Sequence, residues 1–383
     1  MRFIKGRPLL PGLLLLAVLF TPFRAGAEDA GLAGDRGGLQ QVLLSHCLSL
    51  EAVYTGEFVR NLDPGLVSPR KDTIYQDNLD LTATLDTEAA GLWSGGTAYI
   101  SGLFNHGGFP TTTVIGDLQA VSNIEAAQNQ FIVFEAWYEH TIDDLHLSLL
   151  AGLHDMNADF YVSEYGRLFL HSSFGIGPEI SRNVPTSLFS KAGAGARLRY
   201  GEQDDWYVQA GIYDGDPATR RVLASEGRMY IAEAVVKRQG GSSTLGAWLQ
   251  SATKTQGAQT FGSDYGAYLL SEQELLTFGQ GAVLGGFVQL GWVPKQRNDI
   301  TRYLGAGLHL TGAVPMREDD EIGLATANAY TRTGTEHAIE MTWRAPLLRG
   351  VAMQPAMQWI LNPGGNAAAS TIRVAMLRFE VAL

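Results

Sequence analysis

The chain has 383 residues, 45 glycines, a single cysteine and a net charge of −11. The acidic balance argues against nucleic acid as a partner, and one cysteine, Cys47, rules out an intramolecular disulfide. No apolar stretch after the first twenty residues reaches the ~18 that a transmembrane helix needs.

The chain opens with a leader. Arg2, Lys5 and Arg7 form a positive segment, Leu9 to Phe20 is an apolar run broken only by Pro11 and Gly12, and Ala25-Gly26-Ala27 is a small-x-small cleavage site. Residues 1–27 read as a signal peptide rather than an anchor, because the run is too short to span a bilayer. Four of the 28 basic residues lie there, leaving 24 against 39 acidic residues, a net charge of about −15. Residues 28–47 hold Leu32, Leu39, Val42, Leu43 and Leu44 among Asp35, Arg36, Gln40 and Gln41, a pattern compatible with a short amphipathic helix. Residues 48–383 show no linker and read as one domain.

From there the apolar period is two. Leu50, Ala52, Tyr54, Gly56 and Phe58 alternate with Glu51, Val53, Thr55 and Glu57, and Leu79, Leu81, Ala83 and Leu85 alternate with Asp80, Thr82 and Thr84. Ile132, Phe134, Ala136 and Tyr138 alternate with Glu135, Trp137 and Glu139. Ala196, Leu198 and Tyr200 alternate with Arg197 and Arg199, and later segments repeat the pattern around Glu233, Glu340 and Arg344. At the end, Ala375, Leu377, Phe379, Val381 and Leu383 alternate with Met376, Arg378, Glu380 and Ala382. Such alternation means strands with one apolar and one polar face.

A soluble sandwich would give the same period. Two features favour a membrane barrel. Tyr54, Tyr138, Tyr200, Trp292 and Trp343 fall near expected strand ends, where aromatic girdles belong, and the polar faces carry both charge signs. Turn signals such as Asp63-Pro64-Gly65, Ser94-Gly95-Gly96 and Gly240-Gly241 separate the strands. At roughly 20 to 24 residues per strand and connection, the chain accommodates about 16 strands. The expected fold is therefore all-β: a closed antiparallel transmembrane β-barrel of 16 strands. Asp155 to Ser190, with Phe160, Tyr161, Tyr165, Phe169, Phe174 and Phe189 and little alternation, is either a loop folded into the lumen or an ordinary outer loop.

A series of short pieces then accumulates. They include Tyr54-Thr55-Gly56-Glu57-Phe58, Leu92-Trp93-Ser94-Gly95-Gly96, Ile115-Gly116-Asp117-Leu118-Gln119, Ala136-Trp137-Tyr138-Glu139 and Gly211-Ile212-Tyr213-Asp214-Gly215. The richest are Phe287-Val288-Gln289-Leu290-Gly291-Trp292-Val293-Pro294 and the final Gln354 to Gly365 stretch with Asn362-Pro363-Gly364. In this order the chain resembles the carbohydrate-selective porins of the OprB type, from about Gly34 onward. The resemblance implies a bacterial outer-membrane porin through which small, glucose-type sugars diffuse into the periplasm. Its implied partners are those sugars and outer-membrane lipid, and its state is a monomer or a homotrimer. Two departures stand out: Leu383 ends the chain where an aromatic is usual, and the chain is short for the family.

A sugar pore needs flat apolar surfaces for C–H faces and charged groups for hydroxyls. By strand phase, Glu135, Trp137, Arg197, Arg199 and Arg344 are the expected sugar contacts, among lumen candidates that also include Glu51, Glu57, Asp80, Glu139, Glu233, Lys237, Trp248, Glu336, Glu340, Arg378 and Glu380. The excess of luminal carboxylates predicts a weak cation preference. No cofactor, metal site or catalytic group is expected. The eight histidines form no close ligand pair, and there is no Gly-x-Ser-x-Gly elbow. His337 falls on the lipid-facing phase. A polysaccharide exporter, a general diffusion porin and a soluble glycan-binding protein are the alternative readings.

Overall fold

The computed structural model describes residues 47–126, 129–279 and 281–383. The expected leader and nearly all of the short segment expected before the first strand lie outside the described residues. The strands run β1 (Leu48–Asn61), β2 (Thr73–Asp86), β3 (Gly96–Gly107), β4 (Gln130–Ile142), β5 (Leu147–His154), β6 (Gly193–Glu202), β7 (Trp206–Asp214), β8 (Arg228–Arg238) and β9 (Gly241–Gln250). They continue as β10 (Lys254–Gln256), β11 (Gln259–Phe261), β12 (Asp264–Phe278), β13 (Ala282–Trp292), β14 (Ile300–Thr311), β15 (Glu321–Thr331), β16 (Thr335–Leu348), β17 (Val351–Leu361) and β18 (Ile372–Ala382).

Sixteen of these close one antiparallel barrel, and β10 and β11 form a separate hairpin in the loop between β9 and β12. The seam is made by β1 and β18, in register from Val53 opposite Ala382 to Asn61 opposite Val374. Closure leaves no unpaired edge, which is the condition for strands to cross lipid. The alternation read in the sequence sorts onto two faces except in β4, where a bulge at Phe134 breaks the phase and this ring, expected outside, is buried with Leu103 and Ala192. Outward residues such as Leu149, Leu198, Leu245 and Leu290 are exposed, as lipid-facing side chains must be. Inward residues of the same strands, such as Arg197 and Gln289, are buried against material inside the barrel.

Aromatic side chains mark the two rims of the apolar band. Trp93 Nε1 donates to Tyr138 Oη (2.7 Å) at the end with short turns, where Tyr200 and Trp206 also meet edge to face. At the opposite end Tyr265 and Trp292 pack together. Tyr54 departs from the expectation: it lies at mid-strand on the outer face, where its hydroxyl donates to Asp77 Oδ2 (2.9 Å) and contacts Tyr75 Oη. A period-two pattern gives a residue's face but not its height in the membrane. His337 is on the lipid side, as expected from phase, and its Nδ1 contacts Asn328 Oδ1 on β15 at 2.6 Å.

The longest connections lie at one end, by the general plan of such barrels the extracellular one. Two of them turn inward, through residues 108–126 and 155–192. The second contains the short helices α1 (Met156–Asp159) and α2 (Pro178–Ser181) and packs Phe160, Tyr161, Phe169, Phe174 and Ile180 inside the barrel, each almost fully buried. The aromatic, non-alternating stretch is therefore a luminal insert. Loss of alternation is what a segment surrounded on all sides requires.

The two loops interlock. Asn123 N donates to Leu170 O (2.8 Å), Ser172 N to Ala120 O (3.1 Å), Ser172 Oγ to Ser122 O (2.8 Å) and Arg182 Nε to Leu118 O (2.6 Å). Wall carboxylates then hold the loop backbone. Glu233 accepts from Tyr161 N (2.7 Å), Glu272 from Tyr165 N (3.3 Å), and Glu340 from Leu170 N (2.8 Å) and His171 N (2.9 Å). Glu336 accepts from Leu118 N of the other loop. Irregular backbone inside a barrel needs such partners, because its amides have no neighbouring strand. Two wall glycines make room for the insert. A Cβ on Gly291 would overlap the Glu179 carboxyl group, and one on Gly285 would overlap the Tyr165 ring.

Candidate functional site

The wall strands β3 to β7 carry the richest luminal chemistry. Tyr99 on β3 and Trp137 on β4 are opposite each other in register, which brings their rings to 4.8 Å between centroids at 19°, a stacked pair. Both are only partly buried, so together they present an aromatic plate. His154 meets the Trp137 ring edge-on (6.1 Å, 86°) from the top of β5. Next to this plate lies a charged ladder. Arg197 on β6 donates from Nη2 to Glu139 Oε1 (2.8 Å), from Nη1 to Ser148 Oγ (2.7 Å) and from Nε to Asp159 Oδ2 (3.0 Å). Arg199, one pleat further along, donates from Nη2 to Asp159 Oδ1 (2.6 Å) and from Nε to Gln209 Oε1 (2.9 Å), and its guanidinium lies 5.0 Å from the Tyr207 ring centre.

Asp159 belongs to α1 of the inserted loop, so this ladder is built jointly by wall and insert. Burial raises its carboxyl, but Arg197 and Arg199 outweigh that and hold it below its ordinary range. Deeper in the insert, burial pushes the Glu179 carboxyl up to about 7 and the His171 imidazole down to about 3.

The five residues expected to contact sugar are distributed unevenly. Trp137 and Arg199 border open lumen, Arg199 with 14% of its side chain exposed. Arg197, at 2%, is enclosed by its three partners. Glu135 is buried and accepts from Asp155 N (2.8 Å), where it anchors the start of the insert. These four share one stretch of wall. Arg344 is six strands away on β16, between Glu321 on β15 (3.3 Å) and Glu380 on β18 (3.1 Å), with His309 on the other oxygen of Glu321 (2.8 Å). Sequence reasoning missed Tyr99, Tyr207 and Asp159. Tyr99 was discoverable, since Tyr99, Ser101, Leu103 and Asn105 share one phase of a strand that faces β4. Asp159 was not, because its place depends on how the loop folds. Among the described residues no cluster of three or more potential metal ligands occurs.

A closed sixteen-stranded barrel, narrowed by inserted loops and lined with opposed charges and stacked rings, defines an outer-membrane porin. The family model for the carbohydrate-selective porins, OprB family, matches residues 70–383. The chain belongs to that family. It is 21% identical to Porin B of Pseudomonas aeruginosa over 416 residues, covering 91% of this chain and 90% of that one. Among solved structures it is similar to the high-pH structure of Pseudomonas putida OprB, with a TM-score of 0.84 at 19% identity over 94% of this chain and 99% of the other. A loop-deleted OmpT of Vibrio cholerae shares the barrel at a TM-score of 0.55 and 9% identity, covering 88% of this chain and all of that one. The protein is thus a channel of the bacterial outer membrane for carbohydrate-selective diffusion, in a family of porins and not of enzymes.

Proposed function

We propose that this channel passes small glucose-type sugars and that the Tyr99–Trp137 plate, with Arg199 and Asp159 beside it, is where they touch the wall. The supporting observation is adjacency. His154 meets the Trp137 ring edge-on at 6.1 Å and its Nε2 lies 3.4 Å from Asp159 Oδ2, so it joins the stacked pair of 4.8 Å spacing to the guanidinium–carboxylate pair of 2.6 Å. The ring faces suit the C–H face of a pyranose, and the charged pair suits its hydroxyls. Arg197 and Glu135 then support the site, the first by fixing Asp159 and the second by anchoring the insert. Arg344, with Glu321 and Glu380, forms a separate charged patch on the opposite wall. Luminal carboxylates exceed luminal cations, so the pore prefers cations weakly.

The test is single-channel recording in planar bilayers while glucose, maltose and sucrose are titrated. A conductance that falls saturably with one of them supports the assignment and ranks the sugars. A steady conductance unaffected by any of the three overturns it in favour of a general diffusion pore.

A further inference from the structure

The outer surface at the loop end of the β18–β1 seam carries cations that the lumen does not use. Arg60 on β1 and Arg373 on β18 point away from the pore, in phase with lipid-facing Phe58 and Leu377. Arg70 and Lys71 follow in the adjoining 62–72 loop, and all four are exposed. Only Asp63 and Asp72 oppose them within that loop. Asp63 accepts from Arg373 N, Nε and Nη2, at 3.0, 2.8 and 3.0 Å, and among the described residues Arg60 reaches only the neutral Thr73 hydroxyl, at 2.8 Å. The nearby outward carboxylate, Asp77, accepts from Tyr54 Oη and is held within the wall. This local positive excess sits on a chain of net charge −11. The opposite rim contrasts with it: Asp86, Glu88, Asp143, Asp144, Asp204 and Asp205 fall in or beside its turns.

The height of the patch narrows the partner. Arg60 and Arg373 stand at the outward positions nearest the loop end of β1 and β18, above the exposed cross-strand pair Phe58 and Leu377. A ligand meeting both layers has an anionic head and an apolar body. Guanidinium forks match phosphate oxygens, and long basic side chains reach headgroup level from an apolar stem. We propose that Arg60, Lys71 and Arg373 bind the phosphate of a phosphorylated glycolipid in the outer leaflet, which then lies along the barrel seam. The proposal depends on the membrane location and not on the sugar assignment.

The experiment uses the full chain purified in detergent. The midpoint of heat-induced unfolding is followed by gel migration while bisphosphorylated lipid A, dephosphorylated lipid A or inorganic phosphate is added. Bisphosphorylated lipid A is expected to raise the midpoint at roughly a tenth of the concentration that the dephosphorylated form needs, the equivalent of one good charge-assisted contact. The double variant R60Q/K71Q, which keeps the Arg373–Asp63 pair, is expected to remove that difference while single-channel conductance stays unchanged. Should it fail to fold, K71E alone reports the same loss from an exposed loop position. Equal shifts from the two lipids, or native response in either variant, overturn the site. A shift from inorganic phosphate as large as that from the lipid overturns the lipid as its ligand.

Discussion

Asp159 of the inserted loop lies between Arg197 and Arg199 of β6, with one carboxylate oxygen 3.0 Å from the first guanidinium and the other 2.6 Å from the second. This loop carboxylate therefore bridges two wall cations, with Glu139 supplying the second negative charge, and ties the insert to the barrel. The substitution Asp159→Asn leaves an uncompensated charge beside open lumen. Glu139 still holds Arg197, so the freed charge is mainly that of Arg199. Breaking a buried pair costs roughly 3–5 kcal/mol, and solvent near Arg199 places this one toward the lower figure. The expected outcome is a reversal potential moved toward anions and weaker block by sugar. An unchanged reversal potential would show that the pair does not set the field of the pore.

Trp137 is tested separately from the charges. Trp137→Ala removes one ring of the stack and leaves Tyr99 in place. Loss of an aromatic contact of about 1–1.5 kcal/mol corresponds to roughly tenfold weaker sugar binding. Ion selectivity is expected to hold, since no charge changes. Titrated current block gives the binding constant, and block as tight as in the native protein would remove the plate from the site.

The insert should detach when its wall acceptors are removed. Glu340→Ala leaves the amides of Leu170 and His171 without their acceptor and removes a partner of Gln358. Each unpaired buried donor costs about 1–3 kcal/mol unless water reaches it. The loop is expected to move or hydrate, giving larger conductance, more current noise and loss of sugar discrimination, with the barrel intact by heat-modifiable migration. Native conductance with native sugar block would show that the remaining anchors suffice.

The barrel was legible because its two solvents differ along every strand. Lipid selects Leu377 and Phe379, and the lumen selects Arg378 and Glu380, so period two survives in the sequence. The inserted loop was legible only as a break in that period, because Phe160, Phe169 and Phe174 are packed from all sides and obey no single phase. Their partners, wall residues such as Gln289 and Tyr303 more than a hundred positions away, leave no local trace. Phase also gave Glu135 and Trp137 the same lumen-facing status. Loop packing separated them, covering the first and leaving the second beside the pore.

Glu179 supplies a pH dependence outside the membrane-spanning strands. It is fully buried in α2 of the insert, accepts from Tyr161 Oη (3.2 Å), and fits against Gly291 of the wall. Burial lifts its carboxyl from an ordinary value of 4.5 to about 7. A raised acid favours the docked loop in its protonated form. The stabilisation is therefore complete below about pH 4.5 and is lost as pH rises through about 7, where the docked carboxyl must ionise in a dry site. The insert is expected to be held more firmly at pH 6 than at pH 8, and Glu179→Gln, neutral at both, should remove most of the difference. Proteolytic cleavage within residues 155–192 in native and variant protein at the two pH values measures this directly. Equal protection of the native loop at both, or an undiminished pH effect in the variant, would mean that Glu179 does not control the docking.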